Sequence, residues 1–180
     1  MTQDARAALE RLIADVPDFP APGIVFKDIT PLLADADGLR VVIEALAGAG
    51  RDADGRVAID KVVGMEARGF IFAAPVALTL GVGLVPVRKA GKLPRAAHSV
   101  SYALEYGQAT LEMHEDALDP GDRVLVIDDV LATGGTLAAT RELVGLCGGE
   151  VVGAAVLMEL SFLPGREAIG DLPLTSLLTV

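Results

Sequence analysis

Apolar residues in roughly the first fifty positions recur with the period of amphipathic helices. Their spacing predicts a helix over residues 3–16, which Pro17 ends. The prolines and glycine of residues 18–28 favour an extended loop or a short strand. Thr30 stands where a helix N-cap is expected, and a second amphipathic helix is predicted after Asp37. The N-terminal part is therefore predicted to hold two helices joined by a rigidly set connection.

From residue 61 onward, short apolar runs alternate with helical segments. The runs carry the β-branched residues typical of buried strands, and turns rich in glycine, proline or aspartate separate them. Strands are predicted at 61–65, 83–87, 109–114, 124–128 and 151–158, and helices from 69 to about 80 and from about 136 to 147. Such alternation indicates an α/β fold with a mostly parallel sheet flanked by helices.

Residues 69–87 contain no charged side chain, and a stretch of that length would suit a membrane span. Prolines and glycines divide it, however, and helices and strands inside a doubly covered sheet are apolar on all sides. We therefore interpret the stretch as a buried helix followed by a buried strand. The polar, basic residues 90–102 are interpreted as a long mobile loop, of the kind that often serves as a lid.

Composition limits the classes of protein that remain. The length of 180 residues fits one domain, and 52% hydrophobic against 22% charged residues is typical of a folded globular protein. The net charge of −10 argues against general attraction to nucleic acid or anionic lipid. The sole cysteine, Cys147, cannot form an intrachain disulfide, and the charged first residues do not resemble a signal peptide. We expect a cytoplasmic protein with one domain over residues 1–180 and with no nucleic-acid or membrane partner.

The distribution of charge contrasts with the acidic total. Residues 67–104 contain five basic side chains and no acidic one. In an acidic protein such a segment can focus a positive field on one cleft, so it is a candidate anion site. A solvated basic loop has the same composition, and charge alone does not separate the two interpretations.

Residues 124–136, VLVIDDVLATGGT, carry the most specific chemical pattern of the chain. A buried strand leads to two carboxylates and then to a loop of small residues that opens a helix, and ligands of open α/β sheets bind at this end of the strands. Gly134 and Gly135 let the backbone approach a ligand, and N–H groups of the loop and the first helical turn can converge on one phosphate. Thr133 and Thr136 add hydroxyl donors. The pattern predicts a phosphate cradle.

Asp128 and Asp129 immediately precede the predicted phosphate loop. Carboxylates beside a phosphate repel it unless they contact hydroxyl groups or a hydrated metal ion, so the pair suggests a ribose 5-phosphate ligand with Mg²⁺ nearby. The sequence has neither the GxxxxGK pattern of nucleoside triphosphate loops nor a GxGxxG after a strand. A nucleoside triphosphate or dinucleotide site is therefore not indicated.

The pattern at residues 124–136 resembles the phosphoribosyl pyrophosphate signature of type I phosphoribosyltransferases. Four more blocks are similar in order and spacing to family members that use adenine: FPAPGIVFKDITPLL at 19–33, GMEARGFIF at 64–72, PVRKAGKLP at 86–94 and SYALEYG at 101–107. The resemblance implies the fold of that family, with residues 1–33 contributing a small hood over the base site. It also implies a Mg²⁺-dependent reaction in which adenine and phosphoribosyl pyrophosphate give AMP and pyrophosphate through an oxocarbenium-like transition state.

The resemblance assigns roles at the two phosphate groups. Ribose 5-phosphate would be bound by Asp128, Asp129, Ala132, Thr133, Gly134, Gly135 and Thr136. No protein side chain would bind Mg²⁺ directly, since the substrate carries the ion and its waters lie near the two aspartates. Pyrophosphate would be bound by Glu66, Ala67, Arg68, Gly69, Lys89 and Lys92, with Arg68 also catalytic. A non-proline cis peptide is implied between Glu66 and Ala67.

For the base, the resemblance points to Val25, Phe26 and Lys27. Backbone groups of Val25 and Lys27 would read the edge of adenine, and Phe26 would stack on its ring. Many relatives carry arginine where this chain has Lys27, a change that a backbone contact tolerates. Glu105 matches the acidic residue placed near N7 of adenine, where a carboxylate can take up a proton as N9 attacks the ribose.

Two other functions share part of the pattern. A sister enzyme acting on hypoxanthine, guanine or xanthine would keep the residues that bind the phosphate groups and would differ in the base pocket. Residues 19–28 argue against this alternative. A non-catalytic sensor acting as a transcriptional regulator would need a DNA-binding module, which these 180 residues do not offer. Relatives are homodimers, so a homodimer is expected, although the composition fits a monomer equally well. No role is assigned to His98, His114 or Glu159.

Overall fold

The computed structural model describes residues 2–103 and 107–180. The strands of these described residues are β1 (Ala14–Pro17), β2 (Val25–Asp28), β3 (Lys61–Met65), β4 (Gly83–Lys89), β5 (Ala97–Ala103), β6 (Gln108–His114), β7 (Arg123–Leu131), β8 (Glu150–Glu159) and β9 (Leu174–Thr179). Strands β1 and β2 form a separate antiparallel pair. The other strands form one sheet in the order β5-β6-β4-β3-β7-β8-β9. In it β4, β3, β7, β8 and β9 are parallel, while β5 and β6 are antiparallel additions at one edge.

Helices cover both faces of the sheet, as predicted for an α/β fold. They are α1 (Thr2–Leu12), α2 (Thr30–Ala34), α3 (Ala36–Ala47), α4 (Gly69–Leu80), α5 (Gly135–Leu146) and α6 (Gly165–Ile169). One apolar core joins α1, α3 and α4 to the sheet around Leu46, Phe72 and Leu125. A second core lies on the opposite face, where α5 packs on Val63 and Val126. This double covering explains why the strand interiors are apolar on both sides.

The charge-free stretch at 69–87 folds as a helix followed by a strand, as predicted, but neither element is buried on all sides, since Leu78 of α4 is 83% exposed and Leu84 of β4 is 40% exposed. Within the described ranges 2–103 and 107–180, no helix has the length and hydropathy needed to cross a bilayer.

The first predicted helix is too long. It ends at Leu12, because residues 14–17 pair with residues 25–28 as a hairpin, and Nζ of Lys27 donates across that hairpin to Asp15 at 2.7 Å. The prediction of Thr30 as an N-cap is also wrong, since Ile29 occupies that position. The Asp28 carboxylate instead accepts from the N–H and the hydroxyl of Thr30, at 2.9 and 2.7 Å.

Two boundaries in the second half also differ from expectation. The predicted loop at 90–102 is a loop only as far as residue 96, because residues 97–103 pair along the whole of β6 as strand β5. Strand β7 extends beyond residue 128 to Leu131, since β8 pairs with it to that point while β3 stops pairing at Ile127. The two aspartates therefore lie inside β7, on the part of its edge that β3 leaves uncovered.

Candidate functional site

The candidate site lies at the carboxyl ends of β3 and β7, which are parallel neighbours. The chain leaves β3 through α4 toward β4 on one side, and leaves β7 through α5 toward β8 on the other. A crevice forms in an open α/β sheet where the connections diverge in this way. A pocket of about 370 Å³ occupies this crevice, lined by residues 65–68, Lys89, residues 128–134 and Thr136 among others.

The loop between β7 and α5 is built around Gly134. This residue has φ +82°, a left-handed conformation that favours glycine. A Cβ here would also lie 2.8 Å from the carbonyl oxygen of Gly165. The pocket is lined by Ala132, Thr133, Gly134 and Thr136 of the predicted cradle, whereas Gly135 lies against the ring of Tyr102. The loop thus exposes the first turn of α5, whose N–H groups lack helical partners, to the crevice.

The neighbouring carboxylates of Asp128 and Asp129 are desolvated, which makes their charged forms unfavourable. Asp129 is only 4% exposed, and its N–H donates to Oδ1 of Asp128 at 2.9 Å. Burial raises the pKa of Asp128 well above its usual value, and the adjacent charge of Asp129 raises it further. Burial also raises the pKa of Asp129, and the positive charge of Arg68 lowers it by a smaller amount. Hydroxyl donors or a cation brought by a ligand would relieve this cost.

The turn at residues 66–69 forms the opposite wall. The peptide between Glu66 and Ala67 is cis, as the sequence resemblance implied. The Glu66 carboxylate accepts from the N–H of Lys89 at 2.8 Å and from Nε of Arg88 at 3.2 Å, and these groups lower its pKa. Glu66 therefore ties the turn to the end of β4.

Gly69 brings this turn directly onto β7. A Cβ at Gly69 would lie 2.9 Å from both the carbonyl oxygen of Ile127 and Oδ1 of Asp128. Such a distance is too short for a real Cβ contact, so only glycine allows the turn and the carboxylate to sit this close.

Arg68 connects the large pocket with a smaller one. Its Nη2 lies 2.9 Å from Oδ2 of Asp129, and its guanidinium carbon lies 5.3 Å from the ring centroid of Phe26. The second pocket measures about 160 Å³ and is lined by residues 24–27, Arg68, Asp129, Val130, Met158 and Leu160. The candidate base residues Val25, Phe26 and Lys27 thus stand beside the candidate phosphate residues.

The remaining predicted residues are placed less centrally. Lys89 lines the large pocket, whereas Lys92 is exposed and lies on the loop between β4 and β5. The charge of Lys92 contributes to the lowered pKa of Glu66, after the closer groups. Lys27 lines the smaller pocket, and its side chain donates to Asp15 at 2.7 Å. Glu105 lies outside the described residues.

Sequence reasoning missed two sets of residues beside the site. The hydroxyl of Tyr102, on β5, lies 3.0 Å from Oγ1 of Thr136 at the start of α5. Glu159 and Arg166 form an ion pair behind the phosphate loop. Neither partnership has a local sequence signal, because β5 and α6 meet the loop only in the tertiary structure.

Tyr102→Phe is expected to lower the free energy of unfolding by about 1 kcal/mol, because it removes one partly buried hydrogen bond. Urea denaturation measures this change. Ser101→Ala on the same strand is the matched control, since its exposed hydroxyl bonds to Thr110 at 2.7 Å and its loss should change stability by less than about 0.5 kcal/mol. Equal losses in the two variants would contradict the prediction.

Comparison with known proteins gives the family. A family model described as the phosphoribosyl transferase domain matches residues 30–166. A Nocardioides sp. adenine phosphoribosyltransferase is 70% identical over 169 residues, which is 94% of this chain and 91% of the relative. The adenine phosphoribosyltransferase structure from Rhodothermus marinus is 51% identical with a TM-score of 0.90, covering 99% of each chain. The Saccharomyces cerevisiae enzyme, complexed with adenine and an imino-altritol bisphosphate, has a TM-score of 0.92 at 38% identity, covering 99% of this chain and 100% of that one. The chain therefore belongs to the phosphoribosyltransferase family.

Proposed function

We propose that this chain transfers the 5-phosphoribosyl group of phosphoribosyl pyrophosphate to N9 of adenine, giving AMP and pyrophosphate. The observation that carries the proposal is the pair of adjoining pockets, one lined by the phosphate loop and one by residues 24–27, which share Arg68 and Asp129. A nucleoside monophosphate needs this arrangement, since its phosphate and its base must bind at opposite ends of one ribose. The adenine-specific names of relatives up to 70% identical support the choice of base.

At the ribose end, residues 132–136 bind the 5-phosphate through backbone N–H groups and threonine hydroxyls. Asp128 and Asp129 accept hydrogen bonds from the ribose hydroxyls. As the bond to pyrophosphate lengthens, positive charge develops on the ribose, and the two carboxylates stabilise it. Their raised pKa values mark the desolvation cost that this charge offsets.

At the leaving-group end, the backbone of residues 66–69 and the side chains of Arg68, Lys89 and Lys92 bind pyrophosphate. Arg68 is 37% exposed and already directed into the crevice, so it can exchange Asp129 for a pyrophosphate oxygen with a small movement. Glu66 takes part by holding the turn against β4, as its bonds to Arg88 and Lys89 indicate.

Mg²⁺ suits the carboxylate oxygens of this site, which are hard ligands. Within the described parts of the chain, no group of three or more His, Cys, Asp or Glu side chains could hold a metal ion. We propose that the ion enters with phosphoribosyl pyrophosphate and that Asp128 and Asp129 hold its waters. When bound, it neutralises charge on the leaving group.

At the base end, adenine occupies the smaller pocket, under a hood contributed by residues 1–33. Phe26 stacks on the ring, and backbone groups of Val25 and Lys27 read the edge that carries N1 and N6. Glu105 accepts the proton near N7 as N9 attacks C1 of the ribose.

The proposal is tested by giving the purified protein each purine base separately with phosphoribosyl pyrophosphate and Mg²⁺. Nucleotide and pyrophosphate are then measured. AMP formed only from adenine supports the proposal. IMP, GMP or XMP from the other bases would indicate the sister activity, and the absence of any product would indicate a ligand sensor.

We further propose that the chain forms a homodimer in the cytoplasm. Helix α4 carries no charged residue, and its exposed side presents Ile71, 42% exposed, and Leu78, 83% exposed. An apolar side of this kind is typical of a surface that a partner covers. A cytoplasmic location suits Cys147, which is a buried free thiol.

Leu78→Asp is expected to convert the dimer to a monomer, because a charge would be buried in the partner-covered surface. Size-exclusion chromatography with light scattering measures the mass. Leu146→Asp, at a 51% exposed position on α5, is the control and should leave the dimer intact. A wild-type protein that is monomeric at micromolar concentration would contradict the proposal of a homodimer.

A further inference from the structure

Glu159 is a buried carboxylate at the carboxyl end of β8. It is 7% exposed, and Asp129, at 4%, is the other acidic residue of the described part of the chain that is less than a tenth exposed. Nε and Nη2 of Arg166 donate to its two oxygens at 2.7 and 2.8 Å. This bidentate geometry is the strongest form of the carboxylate and guanidinium pair. Asp129 lines the large pocket and has a role there in the proposed mechanism. Glu159 does not line that pocket, so its burial calls for a different explanation.

Arg166 belongs to α6, which lies directly behind the phosphate loop. A Cβ at Gly165 would overlap the carbonyl oxygen of Ala132, and a Cβ at Gly134 would lie 2.8 Å from the carbonyl oxygen of Gly165. The backbones of the loop and the helix are therefore packed against each other without side chains between them. The same Cβ at Gly134 would also lie 2.8 Å from Cβ of Ala168, so α6 closes off the rear of the loop.

Helix α6 is too short to be stable alone. It has five residues, and isolated helices of that length do not persist in water. Its position depends on contacts at each end: Ile169 is buried in the core beneath it, and Arg166 fastens it to β8 through Glu159. At the end of β8, the N–H of Leu160 bonds to the carbonyl oxygen of Leu131 at 3.0 Å, so β8 and the start of the loop are also joined.

We propose that Glu159 and Arg166 are positioning residues for the 5-phosphate: their ion pair holds α6 against residues 132–134 and thereby fixes the shape of the phosphate cradle. The inference rests on the proposed function, which supplies the phosphate that the loop binds. Neither residue lines the large pocket, so both act through the loop and not by touching the ligand.

The test compares AMP with adenosine, which differs from it by the phosphate alone. Isothermal titration calorimetry on Glu159→Gln should show AMP binding weakened about tenfold, since displacements well under 1 Å disturb a preorganised site strongly. Adenosine binding should change less than about twofold. In steady-state assays the KM for phosphoribosyl pyrophosphate should rise while the KM for adenine stays the same. A purely structural role would weaken both ligands alike.

Two further variants complete the experiment. Arg166→Lys keeps the charge but loses the second hydrogen bond, and it should reproduce the selective loss of AMP binding. Asp171→Asn breaks the exposed pair of Arg141 and Asp171, 3.5 Å apart, just beyond α6, and should bind AMP like the wild type. Unchanged AMP affinity in Glu159→Gln and Arg166→Lys, a parallel loss of adenosine binding, or failure of both variants to fold would overturn the inference.

The proposed function and this inference can fail separately. Ribose 5-phosphate titrated into the wild type and the variants reports on the cradle without requiring turnover. If the wild type makes no AMP, the proposed function falls, and the ratio of ribose 5-phosphate affinities between wild type and variants still decides the role of Glu159. If the wild type makes AMP and this ratio is unity, the inference alone falls.

Discussion

Asp128→Asn is expected to lower kcat/KM for phosphoribosyl pyrophosphate about 100-fold. A hydrogen bond to a charged group is worth about 1.5–3 kcal/mol, and each 1.4 kcal/mol of lost transition-state stabilisation is roughly a factor of ten. In the proposed mechanism, Asp128 accepts from the ribose hydroxyls and faces the developing cation, and the variant loses the charge that does so. Initial rates at varied phosphoribosyl pyrophosphate measure the effect.

The same substitution is expected to raise the melting temperature by roughly 2–4 °C, the shift that about 1 kcal/mol produces in a protein of this size. Asparagine keeps the oxygen that accepts from the N–H of Asp129 at 2.9 Å but removes a desolvated charge that lies beside the charge of Asp129. Scanning calorimetry on the ligand-free protein measures the melting temperature. The variant would thus be more stable and less active, which is the expected trade-off at a site that stores electrostatic cost.

The pH dependence follows from the direction of the pKa shift. Because the folded protein raises the pKa of Asp128, it binds this proton at a higher pH than the unfolded chain does. The charge of Asp128 therefore destabilises the folded protein fully above the raised pKa. This destabilisation disappears as pH falls from the raised pKa toward 3.8, the usual pKa of an aspartate. The stability difference between Asp128→Asn and wild type should be largest above the raised pKa of Asp128 and shrink on acidification toward pH 3.8.

Asp129→Asn is the matched control for the stability effect. It removes a neighbouring charge but also the partner of Arg68, 2.9 Å away, so it should raise the melting temperature less than Asp128→Asn does. A lowered melting temperature in Asp128→Asn, or a difference from wild type that grows on acidification, would contradict the electrostatic argument.

Gly134→Ala is expected to lower kcat/KM for phosphoribosyl pyrophosphate by more than about 100-fold. An L-residue at φ +82° is strained by roughly 1–2 kcal/mol. Its Cβ would in addition lie 2.8 Å from the carbonyl oxygen of Gly165 and from Cβ of Ala168, so either the loop or α6 must move. A displaced loop no longer directs its N–H groups at one phosphate, and such misplacement is costly.

Gly145→Ala is the control for this variant, since Gly145 lies on α5, the helix that follows the loop. Gly145 is exposed, and a Cβ there would meet no atom within 4 Å. The variant should keep full activity and gain up to about 1 kcal/mol of stability, because alanine is the better helix former. Retention of more than a tenth of the wild-type kcat/KM in Gly134→Ala would show that the loop adapts to the added methyl group and is not a rigid cradle.

The local sequence of residues 124–136 was sufficient to predict the loop of small residues that joins β7 to α5, and it indicates phosphate binding as the candidate role of that loop. A buried strand, two carboxylates and a pair of glycines before a helix are consecutive in the chain, so their chemistry is visible without knowledge of the fold. The charge-free stretch at 69–87 was likewise resolved into a helix and a strand, because Gly81 ends the helix in a left-handed conformation with φ +71°, whereas Pro75 lies inside the helix and does not end it. The block resemblance supplied the cis peptide at Glu66, which no pattern of hydrophobicity would have indicated.

Strand β5 shows where the prediction failed. Residues 97–102 were interpreted as loop because they are polar and follow glycine and proline, yet they pair with β6 along their whole length. Strand formation at a sheet edge depends on the neighbouring strand more than on the residues themselves. The hairpin that shortens α1 has the same cause, since residues 14–17 find their partners at 25–28.

The sequence by itself determined the alternation of strands and helices and the loop of small residues between β7 and α5, since each depends on residues adjacent in the chain. The close packing of Gly134 against Gly165 was decided by the tertiary structure. Only the tertiary structure decided that Arg68 stands between Asp129 and Phe26, joining the two pockets. It alone also placed Glu159 and Arg166 behind the loop. The physical reason is that the site forms where separate strands end side by side, and burial and charge pairing there are properties of the assembled sheet.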